Sequence, residues 1–336
     1  MPVIVAENLR KRFNLEAGFF ARFGRFVHAV NGVSFSIGEN ETYGLAGESG
    51  CGKTTTARLL VRMYECDEGA IRYRDSTDVR ALSGRALKDY REKVKYVFQD
   101  PARSLNPRMS VYDVLVSGYR ASSRFPGEKQ AREEAARMLV ETGLSPEDLE
   151  KRPAEFSGGQ RQRISIARGL LTRPELLICD EIVSALDVSI QGQILNLLLD
   201  IRGKRALSFL FIAHDLRVAC YFCDRIGVMY RGELMEEAPA ADLYREARHP
   251  YTRLLFSSVS GNRTGGSNAG GATAGEIRTG GSGAGVVPKT PDDGDVPLPR
   301  CPFAPRCSLA EERCFAEHPE LEEIGDGRRI RCFKAG

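Results

Sequence analysis

The chain has 336 residues, with 48 Lys and Arg against 45 Asp and Glu, for a net charge of +3. That length supports a sizeable core and more than one domain, and so even a charge balance gives no reason to expect nucleic acid as the main partner. The longest mostly apolar run, Ala206–Ala213, is too short to span a bilayer.

Met1–Val5 reads straight into a strand and not as a cationic-then-apolar leader, so the expected location is the cytoplasm. Nine cysteines in that compartment are not expected to form disulfides. Residues 1–260 alternate short β-rich runs with helical patterns, which predicts an α/β domain around a mostly parallel sheet. Strands are predicted at Val3–Val5, Ala29–Ile37, Thr42–Leu45, Val94–Gln99, Leu176–Asp180, Leu207–Ala213 and Ile226–Tyr230, with an extended loop at Asn14–Phe26. A helix is predicted over Thr54–Tyr64. Residues 101–155 lack strand patterns and contain Lys129–Thr142, where Ala135, Met138, Leu139 and Thr142 fall at helical spacing; this predicts a helical insertion reaching about residue 170. Gly261–Gly285 is dominated by Gly, Ser, Ala and Thr and reads as a flexible linker spanning roughly 25–30 Å. Residues 286–336 form a Pro- and Cys-rich module too small to be stable without a staple.

Gly47-Glu48-Ser49-Gly50-Cys51-Gly52-Lys53-Thr54 matches the phosphate-binding loop, followed by Thr55 in the predicted helix. Its glycines let backbone N–H groups curl around an anion, and the helix that follows adds its dipole. Lys53 is placed to reach the outer phosphates and Thr54 to ligate Mg²⁺. Leu176–Asp180 is an apolar strand ending in Asp180 and Glu181, the Walker B pattern. Asp180 is the expected Mg²⁺ holder and Glu181 the expected general base. By itself that strand reads equally well as a buried strand before an acidic turn; the upstream loop favours the nucleotide reading. In Phe156-Ser157-Gly158-Gly159-Gln160, Ser157 caps a helix predicted from about Gln160 to Leu171, and with the Gly158 and Gly159 amides presents donors to an anion.

The Ser-Gly-Gly-Gln run shortly before a Walker B strand resembles the signature of ATP-binding-cassette (ABC) ATPases. The remaining family elements follow in order. Gln99 resembles the Q-loop glutamine, Ser184–Asp187 the D-loop, His214 the switch histidine, and Phe13 the aromatic that stacks on adenine. Residues 44–56, 98–109, 184–198 and His249–Leu255 are similar to ATPases of the oligopeptide/dipeptide/nickel importers, and the loop Asn14–Phe26 resembles the F-lettered member of that ATPase pair. Ile182 stands where the family usually has proline.

The resemblance implies an α/β fold of the ABC-type P-loop NTPase kind: a RecA-like mixed sheet core, an antiparallel β subdomain and a helical subdomain, with a small Cys-rich C-terminal module. It implies that ATP and Mg²⁺ are held by Lys53, Thr54, Gln99 and Asp180 in one subunit, while Ser157, Gly158, Gly159 and Gln160 come from another. The implied partners are a second ATPase subunit in a heterodimer, two transmembrane permease subunits and an extracytoplasmic solute-binding protein. The implied location is the cytoplasmic face of the membrane, with no nucleic acid bound. Cys301, Cys307, Cys314 and Cys332, spaced C-x₅-C-x₆-C-x₁₇-C, suggest metal. The resemblance implies a [4Fe–4S] cluster; zinc, free thiols and disulfides remain open. Cys66, Cys179, Cys220 and Cys223 read as packing residues, and Cys51 as the occupant of a free loop position. Two other readings compete: a soluble ABC ATPase acting on nucleic acid or ribosomes, and a metal- or redox-sensing module with a vestigial ATPase. The first lacks the long coiled coils or second cassette of such proteins, and intact Lys53, Asp180, Glu181 and His214 argue against the second.

Overall fold

The computed structural model describes residues 1–14, 26–74, 76–122, 124–260 and 300–334. The predicted linker 261–285 and the interior of the loop Asn14–Phe26 lie outside these residues. β1 (Pro2–Asn14) and β2 (Phe26–Gly38) pair antiparallel, as do β1 and β4 (Glu68–Tyr73), with the short β5 (Thr77–Asp78) completing a sheet of order β2-β1-β4-β5. The second sheet also contains β3 (Thr42–Ala46), β6 (Val94–Val97), β7 (Leu176–Asp180), β8 (Ser208–Ala213), β9 (Arg225–Tyr230), β10 (Glu233–Pro239), β11 (Glu322–Glu323) and β12 (Arg329–Ile330). Its order is β11-β12-β10-β9-β3-β8-β7-β6, parallel from β9 to β6 and antiparallel from β9 outward.

β3, β7 and β8 are buried along their whole length, because both faces of the parallel sheet are covered. The strand period of two divides their side chains between two cores. Leu177, Cys179, Phe209 and Phe211 pack with the helical segment. Leu176, Ile178, Leu210 and Ile212 pack with the antiparallel sheet and the helix after the phosphate loop. Continuous apolar runs of this kind are easy to read, and the predicted β7 matches residue for residue.

Other elements differ from expectation for identifiable reasons. β1 is much longer than Val3–Val5, because bulges break its alternation and Asn8 takes a positive φ of 48°. β6 ends at Val97, so Phe98 and Gln99 leave the sheet. β10 was not predicted: its sequence, ELMEEAP, looks polar, yet Glu233, Glu236 and Glu237 are all buried. The helix after the phosphate loop covers Lys53–Leu60 and stops short of Tyr64, where Arg62 turns the chain at φ 53°. The insertion holds helices Val111–Arg120, Glu128–Glu141 and Gly158–Leu170, which share Val111, Leu115, Ala135, Leu139 and Ile164 in one core.

The tail extends the sheet. β12 pairs with β10, and β11 with β12. Cys301, Phe303, Ala304 and Cys314 join the same core as Tyr230 and Tyr251. This segment supplies an arginine to each of the three buried glutamates of β10, Arg328 to Glu236, Arg329 to Glu237 and Arg331 to Glu233; the His318 ring also stands 2.8 Å from Glu233, and Arg225 of β9 shares Glu237. Buried carboxylates need such partners, which gives β10 a physical requirement for the tail. Among the described residues, no helix is long and apolar enough to cross a membrane.

Candidate nucleotide site

The phosphate loop leaves β3 at Ala46. Gly47 has φ 148°, and a Cβ there would stand 2.2 Å from the Met229 carbonyl; Gly52 has φ 108°, with the Ala29 carbonyl at the same distance. Both positions therefore require glycine by conformation and by space. Lys53 is buried, and its ammonium donates to the carbonyls of Gly47 at 2.8 Å and Glu48 at 2.9 Å. The Cys51 thiol lies 3.7 Å from the same ammonium, and its burial pushes its pKa up, the environment of an inert thiol. Ser49 and Gly50 are exposed at the tip; Thr55 is half-buried in the helix.

The ends of the parallel strands bring the expected metal and base residues to this loop. Thr54 Oγ1 donates to Asp180 Oδ1 at 2.9 Å, and the Tyr96 hydroxyl donates to Asp180 Oδ2 at 2.5 Å. Burial first, and then the Asp180 charge, raises the Tyr96 pKa and keeps it a donor. Mg²⁺ takes oxygens at about 2.0–2.1 Å in an octahedron, whose edge is about 2.9 Å, so the Thr54 and Asp180 oxygens fit adjacent positions around that ion. Gln99 Nε2 donates to Glu181 Oε2 at 2.8 Å. Glu181 itself has φ 47°, a left-handed conformation uncommon for glutamate, and its N–H donates to the Ile212 carbonyl at 3.1 Å. Ile182, in place of the usual proline, is buried in the core. His214 follows β8 and is exposed.

The remaining predicted residues lie in other surroundings. Ser157 and Gln160 form a reciprocal cap, with Gln160 N–H to Ser157 Oγ at 3.4 Å and Ser157 N–H to Gln160 Oε1 at 2.9 Å. Gly158 faces Leu186, and a Cβ on Gly159 would approach Ile190 Cγ2 at 2.8 Å, so the run packs on Leu186 and on the first turn of the helix Val188–Lys204 of its own chain. Asp187 is exposed at the start of the helix Val188–Lys204, beside Val188 at 83% exposure. Phe13 meets Tyr64 edge-on at 5.2 Å, with the Lys11 ammonium 5.5 Å from its ring.

Three contributors were not anticipated as site residues. Tyr96 gave no signal beyond being a residue in a strand. The Tyr251 hydroxyl accepts from the Glu48 N–H at 2.9 Å; the motif around Tyr251 was visible but its target was not. Arg306 of the tail reaches the Glu48 carboxylate. Cys179 and Cys223 are buried and Cys66 and Cys220 half-buried. The four tail cysteines line one small cavity together with His249 and Phe303. Among the described residues, however, no three His, Cys, Asp or Glu side chains are grouped to hold a metal ion. A tetrahedral zinc site, with Zn–S of about 2.3 Å, would hold its sulfurs about 3.8 Å apart.

Residues 30–184 match the family described as "ABC transporter", and residues 235–314 match "Oligopeptide/dipeptide transporter, C-terminal region". A putative oligopeptide transport ATP-binding protein, YkfD, of Bacillus subtilis is 40% identical over 99% of this chain and 95% of its own length. The chain belongs to the ABC transporter ATP-binding proteins of the oligopeptide/dipeptide branch. Its likeness to the oligopeptide transport ATP-binding protein AppF of the same organism, 39% identical over 98% of this chain and 96% of that one, agrees. Among solved structures, the dimeric ATP-binding cassette MJ0796, described in a post-hydrolysis state with ADP and Pi, aligns with TM-score 0.62 and 26% identity, over 70% of this chain and 98% of that one. The ABC ATPase fold of this subunit is thus the expected one, while its tail joins the main sheet through β12 and does not stand as a separate small module; the second family match extends into that tail.

Proposed function

We propose that this chain is the ATP-hydrolysing subunit of an importer for oligopeptides, dipeptides or a related small solute. The observation that carries the reading is the joint placement of Lys53, Thr54, Asp180, Gln99 and Glu181 on one edge of the parallel sheet, in a chain whose relatives over nearly its full length are oligopeptide transport ATP-binding proteins.

In this reading the amides of residues 47–54 and the Lys53 ammonium bind the β- and γ-phosphates of ATP. Thr54 and Asp180 hold Mg²⁺, which when bound neutralises developing phosphate charge. Glu181 accepts the proton of the attacking water, while Gln99 fixes its carboxylate and His214 orients toward the γ-phosphate. Phe13 supports the base. Ser157, Gly158 and Gly159 complete the site of a second ATPase subunit, with Gln160 setting their cap and Asp187 at the seam between subunits; exposed Val188 beside Asp187 suits such a seam. Catalysis is then mostly positioning and charge neutralisation.

The partners in this proposal are a non-identical second ATPase, two transmembrane permease subunits and an extracytoplasmic binding protein, with this chain on the cytoplasmic face of the membrane. For the tail, we infer a [4Fe–4S] cluster at Cys301, Cys307, Cys314 and Cys332. Four thiols around one cavity support it, and a polynuclear centre holds its thiolates further apart than a single ion does. Colourless, iron-free protein after anaerobic purification would refute the cluster.

The test of the whole reading is affinity purification of the tagged chain from membranes. Two polytopic membrane proteins and a second ATPase are expected, and vesicles carrying that complex should hydrolyse ATP faster with solute-loaded binding protein. Recovery with ribosomes or nucleic acid instead would overturn it.

A further inference from the structure

We infer that Arg306, in the C-terminal tail, is a positioning residue of the ATP site, screening Glu48 of the phosphate loop so that the loop accepts a polyanion. This rests on the assignment of residues 47–54 as the phosphate loop.

The geometry is a two-pronged clamp. Arg306 Nη1 and Nη2 each donate to one Glu48 oxygen at 2.8 Å. The guanidinium also lies over the rings of Tyr230, at 5.6 Å, and Phe303, at 5.8 Å. Tyr230, Tyr251 and Phe303 pack on one another with ring centroids 4.7–5.4 Å apart. Tyr251 in turn accepts the Glu48 N–H. Glu48 is thus held by backbone and by side chain, from an aromatic platform of which Phe303 and Arg306 belong to the tail.

A phosphate loop works by being electropositive, and Glu48 places a carboxylate inside it. The hydrogen bonds from Arg306 lower the Glu48 pKa, so the carboxylate stays ionised. Unscreened, that charge would oppose the triphosphate. Both side chains are more than a third exposed, 36% for Arg306 and 39% for Glu48, so the pair adds little to fold stability. Its effect falls on the ligand. Arg suits this role better than Lys, because the fork matches a carboxylate and the planar group stacks on rings.

The tail therefore contributes to nucleotide binding from 258 residues away in sequence. Its docking on β10 fixes where Arg306 stands, which links the region around Cys301 and Cys307 to the ATP site.

The experiment is calorimetric titration of the purified full-length chain with Mg–ATP, with thermal unfolding in parallel. Arg306→Ala is expected to weaken ATP binding about tenfold with little change in Tm. Arg306→Lys, which keeps the charge without the fork, should lose about threefold and keeps the test readable should the alanine variant undock the tail. The double variant E48Q/R306A should recover most of the affinity, a recovery that a merely structural role for Arg306 would not give. Wild-type affinity in both single variants, or a double variant as weak as Arg306→Ala, would overturn the inference. Lys53→Ala binding ATP normally would instead overturn the phosphate-loop assignment beneath it.

Discussion

Thr54 Oγ1 and Asp180 Oδ1 stand 2.9 Å apart although 126 residues separate them in sequence. The parallel pairing of β3 with β8 and of β8 with β7 carries the phosphate loop and Asp180 to the same edge of the sheet. Replacing Asp180 with Asn is expected to leave the fold intact and lower Mg²⁺-dependent hydrolysis roughly a hundredfold or more, the scale of losing one preorganised electrostatic group. Steady-state turnover against Mg²⁺ concentration measures this; unchanged turnover would remove Asp180 from the metal site.

Glu181→Gln should retain ATP and lower hydrolysis by about 10²–10⁴-fold, the range for a lost general base. Gln99→Ala removes the donor at 2.8 Å that fixes the Glu181 carboxylate, and should cost less than Glu181→Gln does. Single-turnover phosphate release separates the two. Undiminished hydrolysis in Glu181→Gln sinks the assignment of the base.

Arg328 and Glu236 are both buried, at 7% and 0% side-chain exposure. Arg328→Met leaves the buried Glu236 carboxylate without its cation, held only by the N–H groups of Arg248 and His249, at a cost of about 3–5 kcal/mol. Adding Glu236→Gln should recover much of that loss, since no charge is then stranded. Urea unfolding of both variants tests it, and equal stabilities would show that the pair is not coupled.

His249 provides a pH signature. Burial lowers its pKa to about 4, and its Nδ1 accepts the Tyr251 N–H at 3.0 Å, so the folded ring is neutral. Below its ordinary pKa of about 6.5 the unfolded chain binds a proton that the folded chain does not, so this contribution falls as pH drops from about 6.5 to about 4. The loss is on the order of 3 kcal/mol. Chemical denaturation from pH 7 to 4 should show a steeper decline for the wild type than for His249→Gln; parallel profiles would contradict the assignment.

Sequence alone determined what chemistry each segment carries. Gly47–Thr54, Asp180 with Glu181, and Ser157–Gln160 are legible because phosphate loops, buried parallel strands and helix caps each impose local composition. β7 was read to the residue for the same reason. What the sequence left out depends on neighbours distant in the chain. β10 looks polar until Arg328, Arg329 and Arg331 pair its glutamates, and Tyr96 is an ordinary strand residue until β6 lies beside β7. Phe13 kept its place in the order of motifs, yet its contact with Tyr64 came only from the fold. The tail looked like a separate module behind a linker. Only tertiary structure made it an edge of the sheet and brought Arg306 to Glu48, because burial and pairing of charge are decided between segments and not within them.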